Sequence, residues 1–313
     1  MPASVPSRES IRPYAPAWLL IPAVLLALVA LPTGCAGIGK HLVMKSDERT
    51  DRNADGICPK AVPRTLGPED ADTAILFIHG YLGAGSNFGN VPDRLADEGW
   101  RVRVMRVPGH GTSPIDLAQT TTEAMLDAIH TEIGALRAHH KTVVLAGESM
   151  GGALSTVTAS REKVDGLVLL APYFGVKHRW YYILPPETWA KVLSPVLPWV
   201  YKGSLGQPLN DKTLRNHAFS YAWVPASSVK RLMALGRTVN TDEVIQSVTC
   251  PVLLIQSKND SVANPGASEA ALDRMTNAAA KRAVWLEKSD HLICLDYERD
   301  QVLAEIRDFV RGL

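Results

Sequence analysis

From Ala74 onward the chain alternates short apolar runs with amphipathic stretches, and this rhythm constrains its fold more than any other feature. The runs are Ala74–Ile78, Arg101–Val107, Thr142–Ala146, Gly166–Leu170, Pro251–Gln256 and Arg282–Leu286. Helical patterns fall between most of them, at about 88–98, 122–138, 150–160 and 266–279. A last one at about 298–311 sets Val302, Leu303, Ile306, Phe309 and Val310 on one face. Short continuous apolar runs are what strands look like when both faces are buried, and parallel neighbours need a crossover between them. The expected architecture is therefore α/β: a mostly parallel sheet covered by helices on both faces, with its chemistry at the carboxyl ends of the strands.

One interval breaks the rhythm. Residues 173–249 separate the fourth and fifth runs by far more than a crossover helix needs. They hold Trp180, Trp189, Trp199, Trp223, Tyr173, Tyr181, Tyr182, Tyr201 and Tyr221, and six prolines cut them into short pieces. We read an inserted helical cap over the carboxyl edge of the sheet. The alternative is that the interval simply adds to the core.

Gly147-Glu148-Ser149-Met150-Gly151-Gly152 follows the third run directly and opens a helical stretch. A Gly-x-Ser-x-Gly turn between strand and helix strains the serine backbone and needs small neighbours, here Gly147 and Gly151, to lift the hydroxyl above the sheet. Ser149 is thus the candidate nucleophile. A serine needs a base, and the base needs an orienting acid. The chain order that goes with this turn is Ser, then Asp or Glu, then His. Of His178, His217 and His291, the first two lie in the insertion, whereas His291 follows the last strand. Asp260 follows the fifth strand. Asp290 adjoins His291 in sequence, so its side chain is expected to diverge into solvent. An oxyanion hole needs two backbone N–H groups, expected from Met150 and, after the turn at Gly80, from Tyr81. His79 is expected to brace its loop, His110 to be a structural hydrogen-bonding residue, and Cys58 and Cys294 to be inert thiols.

These residues resemble the α/β-hydrolase superfamily, more narrowly its monoacylglycerol-lipase and carboxylesterase branch. The resemblance rests on HGYLG at 79–83, PGHGTS at 108–113, GESMGG at 147–152, ND at 259–260 and SDHLICLDYERDQVLAEI at 289–306. It implies an α/β-hydrolase fold over about 71–313 and a triad of Ser149, Asp260 and His291. It also implies hydrolysis of carboxylic esters, often monoacylglycerols, without metal or organic cofactor. An aminopeptidase, a thioesterase or a perhydrolase can use the same triad, and a non-catalytic binding protein can keep the same fold.

The first forty residues are a separate piece. Arg8 and Arg12 precede an uncharged run, Ala15 to Gly39, whose apolar centre is Ala17 to Leu31. Its end, Pro-Thr-Gly-Cys-Ala at 32–36, resembles a bacterial lipoprotein signal that leaves a lipid on Cys35, although Pro32 departs from the usual aliphatic residue. An uncleaved membrane anchor or a cleaved secretory signal are the alternatives. All three place residues 36–313 outside the cytoplasm or at a membrane. Residues 36–70 read as a polar tether. Asp51 to Gly56 mimics the start of a calcium loop, but its twelfth position is Val62 rather than a bidentate Glu.

Composition narrows the partners. With 33 Lys and Arg against 32 Asp and Glu, the net charge is +1, which gives no basic face for nucleic acid. Four scattered Cys make neither a disulfide framework nor a zinc site. The expected partners are a small acyl ester or lipid, and a membrane through the N-terminus.

Overall fold

The computed structural model describes residues 37–177, 197–203 and 207–313. Its main sheet starts with strands β1 (Arg64–Leu66), β2 (Thr73–Ile78), β3 (Arg101–Val104), β4 (Thr142–Glu148) and β5 (Gly166–Leu170). Strands β6 (Trp199–Tyr201) and β7 (Trp223–Pro225) pair separately as an antiparallel ribbon. β8 is Val252–Ser257 and β9 is Lys281–Leu286. The order is β1-β3-β2-β4-β5-β8-β9, and only β1 runs antiparallel to its neighbour. Every residue of β5 and β8 is buried, as expected of strands covered on both faces.

The pleat sorts the apolar side chains into two cores. Val143, Leu145 and Leu167 face the layer containing helices Thr122–Arg137 and Met150–Arg161. Val144, Ala146, Val168 and Leu253 face the layer containing Val91–Ala96 and Arg299–Arg311. The register Ile78↔Gly147 and Glu148↔Leu170 brings the carboxyl ends of β2, β4 and β5 level, which sets the place for a site.

Two expectations need correction. Residues 36–70 are not simply a solvated tether. Residues 37–47 are helical with Val43 fully buried, and Arg64–Leu66 is the edge strand of the main sheet. Three residues carry no readable periodicity, and β1 exists because β3 offers it an open edge.

The insertion is also smaller than 173–249. Helices Ala226–Val239 and Asp242–Gln246 bring Leu235, Val239, Val244 and Ile245 into the principal core. They form the crossover that carries the chain from β5 to the parallel β8. His178, Trp180, Tyr181, Tyr182 and Trp189 lie outside the described residues, as do Cys35 and the apolar run up to residue 36. Among the described residues no helix is long and apolar enough to cross a membrane.

Candidate active site

The turn after β4 is built around one strained residue. Ser149 has φ 54° and ψ −117°, a conformation that costs a non-glycine residue about 1–3 kcal/mol. Its neighbours hold it there. The Ser149 amide donates to Leu170 O (3.0 Å), and its carbonyl accepts from the amides of Gly152 (2.9 Å) and Tyr173 (2.9 Å). The glycines are required by space. A Cβ on Gly151 would lie 1.9 Å from Ile78 O, and one on Gly147 would lie 2.4 Å from Gly151 O. Opposite the serine, a Cβ on Gly80 would approach Ser149 Cβ to 3.1 Å, so the loop after β2 is packed directly against the turn.

His291 meets this serine from the loop after β9. Its Nε2 lies 2.9 Å from Ser149 Oγ, and its Nδ1 lies 2.8 Å from Asp260 Oδ2. The carboxylate of Asp260, fully buried, is saturated with donors: Oδ1 accepts from the amides of Val262 and Ala263, and Oδ2 also accepts from Gln256 Nε2, each at 2.8 Å. That leaves Nδ1 of His291 to donate and Nε2 to accept from the serine hydroxyl, the tautomer that a proton-accepting imidazole needs. Burial, the largest single influence, lowers the His291 pKa, but the surrounding acidic groups, Asp260 foremost, together outweigh it, so the net direction is upward.

The histidine loop is fixed by two carboxylates that carry no role in the sequence reading. Asp296, fully buried, accepts from four amides: Asn210 and Asp290 on one oxygen, Asp211 and Tyr297 on the other, at 2.8–2.9 Å. Glu298 accepts from the amides of Glu287, Lys288 and Ser289 and from the Ser289 hydroxyl. Both stand in the 289–306 segment, and the available signal was acidic residues in a short loop ahead of a helix. Asp290 is a correction: it is not a free solvated side chain. Its two oxygens accept from the amide (2.8 Å) and hydroxyl (3.0 Å) of Ser261, tying the loop after β8 to the loop after β9.

Met150 is the first residue of the helix Met150–Arg161, so its amide has no intrahelical acceptor. Tyr81 follows Gly80, and its hydroxyl meets Ser228 Oγ at 2.5 Å on the helix Ala226–Val239. A crevice of about 10 Å³, room for a single water, lies beside these two residues, lined by Leu117, Met125, Leu232 and Leu235 together with Thr122, Ser228 and Arg231. A wider groove of about 810 Å³ between Lys60, Ser86, Asn216 and Arg299 contains none of the Ser149, His291 and Asp260 set.

His79 accepts from the Val107 amide at Nε2 and donates to Gly80 O from Nδ1. Burial lowers its pKa to about 3 and that of neighbouring His110 to about 4. Both are neutral braces. His217 is exposed. Burial pushes the Cys294 and Cys58 thiols up, which suppresses the thiolate. At 51–57, Asn53 Oδ1 accepts from the amides of Asp55 and Ile57, which makes an Asx turn. Among the described residues no group of three or more His, Cys, Asp or Glu could hold a metal.

A hydroxyl, imidazole and carboxylate in one chain of hydrogen bonds at the strand ends is the arrangement of a serine hydrolase. The hydrolase family described as serine aminopeptidase, S33, matches residues 69–298. The chain belongs to this family. It is 24% identical to a thermostable monoacylglycerol lipase of Bacillus sp. (strain H-257), over 77% of this chain and 91% of that protein. It is 21% identical to a carboxylesterase of Bacillus subtilis (strain 168), over 80% of this chain and 97% of that one. Among solved structures it is similar to a metagenome-derived lipolytic enzyme, with a TM-score of 0.70 and 22% identity, over 82% of this chain and all of that one. The mostly parallel sheet with helices around it is thus the α/β-hydrolase fold.

Proposed function

We propose that the chain is a serine hydrolase of carboxylic esters, acting on monoacyl lipids or medium-chain acyl esters. The observation that carries this reading is the run Ser149 Oγ–His291 Nε2, His291 Nδ1–Asp260 Oδ2 at 2.9 and 2.8 Å. His291 takes the Ser149 proton as Ser149 attacks the ester carbonyl. The amides of Tyr81 and Met150 hold the oxyanion. His291 then protonates the leaving alcohol, and a water molecule, deprotonated by the same imidazole, releases the acid and frees Ser149. Asp260 stays ionised and holds the imidazole tautomer throughout. The N-terminal segment holds the protein at an extracytoplasmic membrane face, through a lipid on Cys35 or as an uncleaved anchor.

The family's description favours a second reading, an aminopeptidase on the same three residues. Hydrolysis of p-nitrophenyl esters from acetate to laurate, beside aminoacyl p-nitroanilides, separates the two. We expect ester turnover with an optimum beyond acetate, and a loss of about 10⁶-fold in kcat for Ser149→Ala. Activity confined to acetate overturns the acyl-lipid assignment. Turnover of anilides alone overturns the ester assignment. Undiminished activity in Ser149→Ala overturns the mechanism.

A further inference from the structure

Exposed apolar side chains are concentrated on two touching pieces of the molecule. Of the eleven large hydrophobic residues open to solvent among the described residues, six lie on them: Ile38, Leu42, Met44, Leu197, Val200 and Tyr201. Scattered exposure needs no explanation, whereas a cluster marks an interaction site. The contact between the two pieces is direct. A Cβ on Gly39 would lie 3.3 Å from the Trp199 indole. Val43, buried, lines the same crevice as Trp223, the cross-strand partner of Tyr201. Gly39 and Val43, four apart, form the inner stripe of helix 37–47. Ile38 and Leu42, also four apart, form the adjoining stripe left in water.

Charge identifies the occupant. Exposed Lys45, three residues on, flanks Leu42 on the helix, and Lys202 follows Tyr201 on the ribbon. Asp47, at the helix end, is engaged by Arg52, and Glu48 stands beyond it. An apolar stripe rimmed by lysines suits a lipid–water interface, and the lysines favour anionic headgroups. The chain upstream points the same way. Residues 15–36 carry no charge and end where this helix begins. A lipid on Cys35, or a spanning segment in its place, would start the helix within two residues of the bilayer.

We propose that helix 37–47 and strand β6 form a docking face for anionic membranes, turning the insertion side of the hydrolase toward lipid. This rests on the membrane attachment proposed above. The test is hydroxyl-radical footprinting of the full-length protein in phosphatidylglycerol vesicles, read by mass spectrometry. Tyr297, 58% exposed and outside the face, is the internal reference for Tyr201, 63% exposed. The expected result is severalfold lower labelling at Tyr201 than at Tyr297, at protein-to-lipid ratios low enough to separate the chains. Leu42→Asp should restore labelling at Tyr201 and leave hydrolysis of a soluble ester unchanged. Equal labelling of the two tyrosines in vesicle-bound protein overturns the docking face but leaves attachment standing. Protein that does not sediment with vesicles overturns both. Protection that appears only at high protein-to-lipid ratio assigns the face to a second copy of the chain and overturns the proposal.

Discussion

Glu148 stands immediately before the candidate nucleophile, yet it takes no part in the hydrogen-bonded set. Its side chain is fully buried, and neither carboxyl oxygen has a hydrogen-bond partner among the described residues. Desolvation raises its pKa to about 8, against the lesser opposing pull of His291. The group is thus neutral in the folded protein at pH 7 and ionised in the unfolded chain. A carboxyl raised in this way gives stability that is complete below its ordinary pKa. That stability is lost as pH rises toward the folded value, at about 1.4 kcal/mol per pH unit. Glu148→Gln removes this titration. The stability of the variant relative to the native protein should therefore climb between pH 5 and pH 8, as denaturant midpoints at the two pH values would show. A difference that does not change with pH would mean that Glu148 ionises freely in the fold. In sequence this residue reads only as the spacer of Gly-x-Ser, because nothing in one dimension reveals that its surroundings lack donors.

At the scale of elements, the turn after β4 and the helix Thr122–Arg137 make opposite demands on glycine. Gly151→Ala would drive a Cβ to 1.9 Å from Ile78 O, a backbone atom that cannot step aside. The expected cost is about 3 kcal/mol or more. Gly134, exposed on its helix with nothing within 4 Å of its Cβ position, should accept Ala with a gain of about 0.5–1 kcal/mol. Urea unfolding of the two variants beside the native chain checks both signs, and a Gly151→Ala protein of native stability would refute the packing account. This contrast also measures what sequence can convey. Six main-sheet strands and the turn were legible, because buried strands read as apolar runs and the glycine spacing follows from steric need. The meeting of Ser149, Asp260 and His291 was legible because each follows a strand whose carboxyl end shares one edge. β1 was not, since its three residues pair only by virtue of β3. The helices Ala226–Val239 and Asp242–Gln246 have ordinary amphipathic patterns, and sequence alone cannot say which surface an apolar stripe will meet.

Across the whole molecule, Asp296 joins segments far apart in the chain. One carboxylate holds the amides of Asn210 and Asp211, from the insertion, and those of Asp290 and Tyr297, around the histidine loop. Asp296→Asn would set an NH₂ group against two buried donors, at an expected cost of about 3 kcal/mol. It should also lower kcat, because the imidazole loses its seat. Denaturant midpoints and ester turnover on one preparation would check the pair, and loss of stability with unchanged kcat would separate the brace from the site. The same carboxylate limits how this enzyme can be re-engineered or can diverge. Insertions in such folds invite exchange as modules, each bringing its own specificity. Here a foreign insertion would have to set two backbone amides where those of residues 210 and 211 now stand, or leave a buried carboxylate half-coordinated beside the histidine loop. Only grafts that reproduce that two-residue clasp would keep both parts in working order.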